Sequence, residues 1–121
     1  MRERPEALIQ HQILEAYGAH PRLRIARINV GVGWFAKGKP ARKSDPGAYP
    51  VKFGVKGTAD IMGILAPTGR VIAFEVKADQ GTQRPEQIAM QRMITKFGGA
   101  YYVVRSLADA DAAFATLGVY R

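Results

Sequence analysis

The feature that most constrains this fold is a pair of apolar segments, residues 58–65 and 70–77, separated by only four residues. The intervening Ala66-Pro67-Thr68-Gly69 contains a proline and a glycine, the residue types that favour a reversal of the chain. We therefore predict that the two segments are adjacent antiparallel strands joined by a four-residue turn.

Three charged side chains fall at one end of this predicted hairpin. Glu75 and Lys77 end an otherwise apolar run and, being two positions apart on a strand, point to the same face. If Leu65 lies opposite Arg70, the register of the hairpin is fixed. In that register Asp60 lies opposite Glu75, with Cβ atoms roughly 4.5–5.5 Å apart. Two carboxylates at that distance repel each other unless a cation lies between them.

Helical and extended patterns alternate along the rest of the chain. Helices are predicted over residues 6–17, 84–97 and from the capping box at Ser106 to about residue 117, and further strands over residues 23–30 and 100–105. Residues 31–57, rich in Gly, Pro and Lys, are predicted to form a long basic loop. The order α-β-β-β-α-β-α predicts a single α/β domain over residues 1–121, with a small central mixed sheet flanked by helices.

The positive charge of the chain is concentrated in the predicted loop. The sequence has 18 Lys and Arg against 10 Asp and Glu, a net charge of +8. The basic residues of the loop are candidate nucleic-acid contacts: Lys37, Lys39, Arg42, Lys43, Lys52 and Lys56. Such a segment is typical of a surface that binds a polyanion, and equally of a solubilising loop. Its aromatic residues could stack on bases, form an interface or pin the loop to the core: Trp34, Phe35, Tyr49 and Phe53.

Composition excludes several classes of protein. The chain has no cysteine, which excludes disulfide scaffolds, thiolate zinc sites and cysteine nucleophiles. Its longest apolar runs are strand-sized, far short of the ~20 residues that span a bilayer, and no apolar stretch of a signal peptide follows the charged start. We therefore expect a soluble protein of the cytoplasm, or of the host-cell cytoplasm if the source is viral.

The first predicted helix carries an acidic residue on its apolar side. One stripe of this helix contains four residues at helical spacing: Glu6, Ile9, Ile13 and Tyr17. Glu6 therefore faces inward, where a carboxylate needs a partner, and a cation held near Asp60 and Glu75 would be one. The alternative is a glutamate of the first helical turn that is stabilised by the helix dipole.

The charged residues of the hairpin have the chemistry that a hard divalent cation needs. Carboxylate oxygens with retained waters are the ligands that Mg²⁺ or Mn²⁺ prefers. A divalent ion at Asp60 and Glu75 would lower the pKa of a bound water and stabilise charge that develops on a phosphate. Lys77 could orient that water or stabilise the anion. The alternative interpretation is a surface Glu–Lys pair beside an aspartate in a turn.

Several of these residues stand in a familiar pattern. Gly57-Thr58-Ala59-Asp60-Ile61, Phe74-Glu75-Val76-Lys77 and Gln87 resemble the motifs of the virus-type replication-repair nuclease (VRR-NUC) domain, a branch of the PD-(D/E)xK nucleases. The match extends to Glu6, to Arg27-Ile28-Asn29-Val30-Gly31 and to Gly99-Ala100-Tyr101-Tyr102-Val103-Val104. It covers nearly the whole chain, as in a stand-alone domain. Ala59 departs from the motif, which has a proline before the catalytic aspartate.

The resemblance implies an active site and a reaction. It implies a divalent metal held by Glu6, Asp60, Glu75 and the main-chain carbonyl of Val76, with Lys77 assisting the attacking water. Gln87 would be a motif residue near the site, the alternative being a polar residue of the helix surface. Stand-alone members look like homodimeric resolvases of four-way (Holliday) junctions, whereas domains embedded in larger repair proteins act on flaps.

We therefore expect an Mg²⁺- or Mn²⁺-dependent, structure-selective DNA endonuclease that acts as a homodimer on branched DNA. Its catalytic residues would be Asp60, Glu75 and Lys77, and no small-molecule cofactor or membrane would be involved. Two alternatives stay open. One is a non-catalytic nucleic-acid-binding module on the same fold, and the other is a flap or restriction-type nuclease that needs partner proteins.

Overall fold

The computed structural model describes residues 5–28 and 31–121, except for the side chains of residues 31, 32, 52 and 53. Within these residues the helices are α1 (Pro5–Tyr17), α2 (Pro85–Lys96) and α3 (Leu107–Thr116). The strands are β1 (Leu23–Arg27), β2 (Gly31–Ala36), β3 (Lys39–Pro40), β4 (Tyr49–Phe53), β5 (Ile61–Leu65), β6 (Arg70–Val76) and β7 (Ala100–Val104). In this part of the chain, none of the helices is long and apolar enough to cross a membrane.

Four strands form the main sheet, in the order β1-β5-β6-β7. The pairs β1–β5 and β5–β6 are antiparallel. β7 runs parallel to β6, because the chain returns through α2 before it enters β7. This mixed sheet with its helices confirms the prediction of a mixed α/β fold.

The two faces of the main sheet carry separate cores. On one face, alternate residues of β6 pack with α1 and α3 in the larger core. On the other face, Ala73 of β6 clusters with Ile94 of α2 and Tyr101 of β7 in a smaller core. Glu75 has the same parity as Ala73, so its carboxylate lies on the face covered by α2.

An aromatic cluster joins α1 and α3 to the sheet. Phe114 of α3 stacks on Tyr17 of α1 with ring centroids 3.9 Å apart, and its ring lies 4.7 Å from that of Phe74 in β6. All three side chains are at most 1% exposed. Ile13 and Tyr17 both belong to this core, which confirms the predicted inward face of α1.

The hairpin has the predicted register. Leu65 lies opposite Arg70, and Ile61 lies opposite Phe74. The strand β5 begins at Ile61 rather than at residue 58, and β6 ends at Val76 rather than at residue 77. Asp60 is therefore the first residue before β5, at the end of the ladder where β6 reaches Glu75.

The prediction that residues 31–57 form a loop is wrong. β2 pairs with both β3 and β4 in a second, three-stranded antiparallel sheet of order β3-β2-β4, so the described part of the chain has three more strands than predicted. Two of these strands contain a proline, which led to the prediction of a loop. Pro40 and Pro50 lie in the outer strands β3 and β4, where a missing N–H is tolerated. β2 and β4 are far apart along the chain, so no short turn pattern indicated that they pair.

The other predicted elements are confirmed within a few residues. α3 begins after Ser106, whose side chain accepts a hydrogen bond from the N–H of Asp109, as in a capping box. α1 and α2 begin at Pro5 and Pro85, where the missing N–H of proline is harmless. Residues 29–30, the end of the predicted first strand, lie outside the described residues.

Replacing Phe114 tests the aromatic cluster. Phe114→Ala should lower the free energy of unfolding by about 3–5 kcal/mol, because it leaves a cavity between α1, α3 and the sheet. Phe97→Ala is the control, since Phe97 is 81% exposed and its loss should change stability by no more than about 0.5 kcal/mol. Urea denaturation of both variants measures the difference, and equal losses would contradict this packing.

Candidate functional site

A cavity of about 730 Å³ opens at one end of the main sheet, where β1 ends, β5 begins and β6 ends. Its walls come from α1, from the ends of these strands and from the first turn of α2. Its charged lining consists of four acidic and four basic residues: Glu6, Asp60, Glu75, Glu86, Arg27, Lys56, Lys77 and Arg84. The structure thus brings the predicted catalytic residues Asp60, Glu75 and Lys77 to one cavity.

The backbone before β5 holds Asp60 at the cavity wall. The carbonyl oxygen of Asp60 accepts a hydrogen bond from the N–H of Ile28 at 2.8 Å, which ties this segment to the end of β1. Its Oδ2 accepts from the N–H of Val76 at 2.7 Å, across the end of the hairpin. Burial raises the pKa of Asp60; the N–H of Val76 opposes this rise and the charge of Glu6 adds to it.

A glycine lets the same segment pack closely on α2. Gly57 is buried and has a φ of 89°, a conformation that residues with a side chain rarely adopt. A Cβ atom built on it would lie 2.4 Å from the carbonyl oxygen of Glu86, in the first turn of α2. Gly57 therefore permits the close approach that forms this corner of the cavity.

Glu75 is the most enclosed charged group of the site, with only 2% of its surface exposed. Its Oε1 accepts a hydrogen bond from Gln87 Nε2 at 2.7 Å and lies 3.4 Å from Lys77 Nζ. Its Oε2 is enclosed and has no hydrogen-bond partner among the described residues. Burial, together with the nearby charge of Asp60, raises the pKa of Glu75 to about 7.

Lys77 and Gln87 hold this carboxylate from two directions. Lys77 follows β6 and is fixed by its N–H, which donates to the carbonyl oxygen of Val104 at 3.0 Å. Gln87 is 2% exposed, and its Oε1 accepts from the N–H of Arg84 at 2.9 Å, so it belongs to the cap of α2. The first turn of α2 is therefore coupled to Glu75 through a single side chain. Gln87 is a buried contact of the site, not a residue of the helix surface.

Glu6 and Val76 were also expected at the metal. Glu6 is half-buried and borders the cavity, and its charge raises the pKa of Asp60, so the two carboxylates are neighbours. Val76 does not border the cavity; its side chain lies in the larger core and its N–H donates to Asp60. The carbonyl of Val76 as a metal ligand stays a prediction.

The oxygen groups present fit a hard divalent cation. The enclosed Oε2 of Glu75 has no donor among the described residues, and the carboxylate of Asp60 lies close to it. In residues 5–28 and 31–121, no group of three or more Asp, Glu or His is placed so that it could hold a metal ion. Mg²⁺ commonly keeps several waters and is bound through one or two carboxylates. The carboxylates of Asp60 and Glu75 therefore match the type and number of protein ligands that this ion needs.

Several lining residues were not predicted as site residues from the sequence, among them Gln10, Arg27, Arg84 and Glu86. Gln10 follows Glu6 by one helical turn, so the helical spacing could have identified it. Arg27 and Arg84 lie at the end of β1 and at the cap of α2, and only the packing of these elements brings them together. Arg84 also contacts Glu86 through an ion pair of 3.5 Å.

The expected nucleic-acid contacts are divided between two places. Lys56 borders the cavity, whereas Lys37, Lys39, Arg42 and Lys43 are exposed on or next to the three-stranded sheet. The ammonium of Lys43 lies over the ring of Trp34, 5.6 Å from its centroid. The side chain of Lys52 lies outside the described part of the chain.

No protein-family model matches the chain, and no curated protein matches it in sequence.

The raised pKa of Glu75 predicts how stability depends on pH. Between its ordinary value of 4.5 and about 7, the folded protein keeps a proton that the unfolded chain releases. Stability should therefore fall as pH rises through this window, by on the order of 2–3 kcal/mol. Glu75→Gln cannot titrate and should lose most of this dependence.

Urea denaturation between pH 4.5 and 8 in EDTA measures the effect. Glu15→Gln is the control, because Glu15 is exposed on α1 and its replacement should leave the wild-type dependence unchanged. The same fall in stability in Glu75→Gln as in the wild type would show that Glu75 does not carry the raised pKa.

Proposed function

We propose that this chain is a divalent-metal-dependent deoxyribonuclease of the PD-(D/E)xK type that hydrolyses phosphodiester bonds in DNA. One observation carries the proposal: the enclosed oxygen of Glu75 has no donor among the described residues and lies beside a second carboxylate, Asp60, at a cavity. A buried pair of acids is costly by itself, and a divalent cation is the partner that stabilises both in their charged form.

Each residue of the site has a role in this proposal. Asp60 and Glu75 hold Mg²⁺ or Mn²⁺, with Glu6 as the next carboxylate on the wall. When bound, the ion supplies positive charge to the phosphate and lowers the pKa of a water molecule. Lys77 keeps an ammonium next to the reacting groups, where it stabilises the charge that develops on the phosphate. Gln87 fixes the orientation of Glu75 through its hydrogen bond.

The charge of the cavity suits a phosphodiester once an ion is present. The four acidic and four basic lining residues cancel formally, so a divalent ion leaves a net charge of about +2. In hydrolysis, a water oxygen bonds to phosphorus, the bond between phosphorus and the leaving sugar oxygen breaks, and a proton passes to that oxygen. Arg27, Lys56 and Arg84 supply further positive charge for the phosphates of the bound strand.

The three-stranded sheet lies, along the chain, between two segments that border the cavity. Arg27, the last residue of β1, borders the cavity, and β2 begins four residues later at Gly31. The chain returns from β4 at Phe53 to Lys56, which also borders the cavity. We infer that DNA bound at the cavity extends along the exposed lysines of this sheet.

We propose branched DNA as the substrate and a homodimer as the active form because the motifs of the chain resemble those of stand-alone VRR-NUC domains. A two-fold dimer would place two cavities on opposed strands, which suits symmetric cleavage of a four-way junction. A flap or restriction-type nuclease and a non-catalytic binding module are the alternatives, and a cleavage assay separates them.

Replacing either acid tests the catalytic proposal. Asp60→Asn and Glu75→Gln should each lower Mg²⁺-dependent cleavage by about 10³-fold or more, because several kcal/mol of charge stabilisation is lost. DNA binding in EDTA should stay within about threefold of wild type, since neither acid contacts phosphate without the ion. Labelled linear, flapped and four-way DNA serve as substrates, with Mn²⁺ tested in parallel.

The exposed Glu15→Gln variant is the control and should cleave like the wild type. Wild-type rates in both site variants would refute the proposal. Tight binding by the wild type without any product would favour the binding module, and cleavage of flaps alone would favour the flap nuclease.

The role of the three-stranded sheet is tested by removing charge. The double variant Lys39→Ala, Lys43→Ala should bind DNA more weakly at every sequence and lower the slope of log affinity against log salt by about 2. The control is Arg92→Ala, Lys96→Ala, which removes two exposed charges from the distal half of α2. Fluorescence anisotropy at several salt concentrations measures both slopes. Equal slopes in the two double variants would show that this sheet is not a specific DNA surface.

A further inference from the structure

The connection between β6 and α2 contains a tight turn that lies against Lys77. In this turn, residues 78–81, the N–H of Gly81 donates a hydrogen bond to the carbonyl oxygen of Ala78 at 2.9 Å. A Cβ atom built on Gly81 would lie 3.4 Å from both Cβ and Cδ of Lys77. The turn therefore packs against the aliphatic stem of Lys77, whose side chain is only 11% exposed.

Arg105 holds this turn from the end of β7. It directly follows β7 and is half-buried. One nitrogen of its guanidinium, Nη1, donates to the carbonyl oxygen of Ala78 at 2.7 Å and lies 3.5 Å from that of Asp79. The N–H of Arg105 donates to the side chain of Asp109 in α3 at 2.9 Å, which fixes the residue itself. A charged donor makes a stronger hydrogen bond than a neutral one, so this contact is suited to holding a turn.

Lys77 needs such support because its side chain is long. Lysine has a flexible stem, and side-chain entropy opposes any single position of its ammonium. In this protein Nζ of Lys77 lies 3.4 Å from Oε1 of Glu75. Side chains of a functional site keep a precise position when packing and hydrogen bonds of their neighbours restrict their rotamers. The turn provides the packing, and Arg105 provides the hydrogen bond that keeps the turn in place.

We propose that Arg105 is a positioning residue of the site: it holds the turn of residues 78–81 against the stem of Lys77 and so keeps the ammonium of Lys77 beside Glu75. The inference rests on the proposed function, because it concerns the ammonium that stabilises charge on the phosphate. Arg105 is not one of the described residues that line the cavity. It therefore acts through Lys77 and not on the DNA.

Three substitutions separate positioning from general stability. Arg105→Met keeps an apolar stem and removes the contact to the turn. Arg105→Lys keeps a charged donor, and a single nitrogen is enough because both contacts come from Nη1. Arg22→Met is the matched control. Arg22 also donates to main-chain carbonyls, those of Ala66 and Gly118, and it does not line the cavity.

The first measurement reports on Lys77 in the free protein. NMR of protein with ¹³C-labelled lysine, in EDTA and without DNA, distinguishes the two ε-hydrogens of an immobilised lysine and averages them in a mobile one; Lys77→Arg assigns the signal. The wild type, Arg105→Lys and Arg22→Met should show distinct shifts, and Arg105→Met an averaged one. Both methionine variants should lower Tm by a similar amount, about 5 °C, because each loses hydrogen bonds to carbonyls.

The second measurement follows cleavage of DNA. Arg105→Met should lower kcat by about 10-fold or more with KM nearly unchanged, because a small misplacement of a charged group is costly in the transition state. Arg105→Lys should recover most of this loss, and Arg22→Met should cleave like the wild type.

A purely structural role of Arg105 predicts a different result. Arg105→Met would then lower Tm as Arg22→Met does, with the Lys77 signal or kcat unchanged, and either outcome would overturn the inference. The NMR measurement needs no activity. A wild type that cleaves no DNA would therefore refute the nuclease, while the spectra would still decide whether Arg105 positions Lys77.

Discussion

The burial of Glu75 beside Asp60 is the interaction on which the rest of this structure depends. The carboxylate lies at the end of the central strand under α2, is 2% exposed, and has a pKa raised to about 7 by burial and by its acidic neighbour. Gln87 donates a hydrogen bond to Oε1 of Glu75, and the ammonium of Lys77 lies beside the same oxygen. Oε2 has no hydrogen-bond partner among the described residues. An apolar side chain at this position would make the folded protein more stable. A buried acid that lowers stability in this way is typical of functional sites.

The elements around the cavity are those that hold this acid in place. α2 is connected to it through Gln87, which accepts from the helix cap and donates to the carboxylate. The hairpin register and the N–H of Val76 fix Asp60 at the same end of the sheet. Gly57 allows the segment before β5 to touch α2, because any Cβ there would collide with the backbone of Glu86. Hydrogen bonds and close packing therefore hold Asp60 and Glu75 at the end of the sheet, and further charged side chains line the rest of the cavity.

The two sheets carry different kinds of side chain. The main sheet, packed between helices, provides the buried acids, while the three-stranded sheet carries exposed basic residues and Trp34 with Lys43 above its ring. Among the described residues, the strands of this second sheet contact one another far more than they contact the main sheet or the helices. Along the chain, this second sheet stands between two segments that border the cavity, at Arg27 and at Lys56.

The sequence by itself determined the hairpin, its register and the proximity of Asp60, Glu75 and Lys77, because a short turn and a two-residue period are local properties. It also determined the helices and the inward face of α1, since capping and helical spacing are local as well. Only the tertiary structure decided that residues 31–57 form a three-stranded sheet, because β2 and β4 pair across a long connection. Tertiary structure alone likewise brought Gln10, Arg27 and Arg84 to the cavity and buried Gln87 against Glu75, since side chains from separate elements meet only when those elements pack.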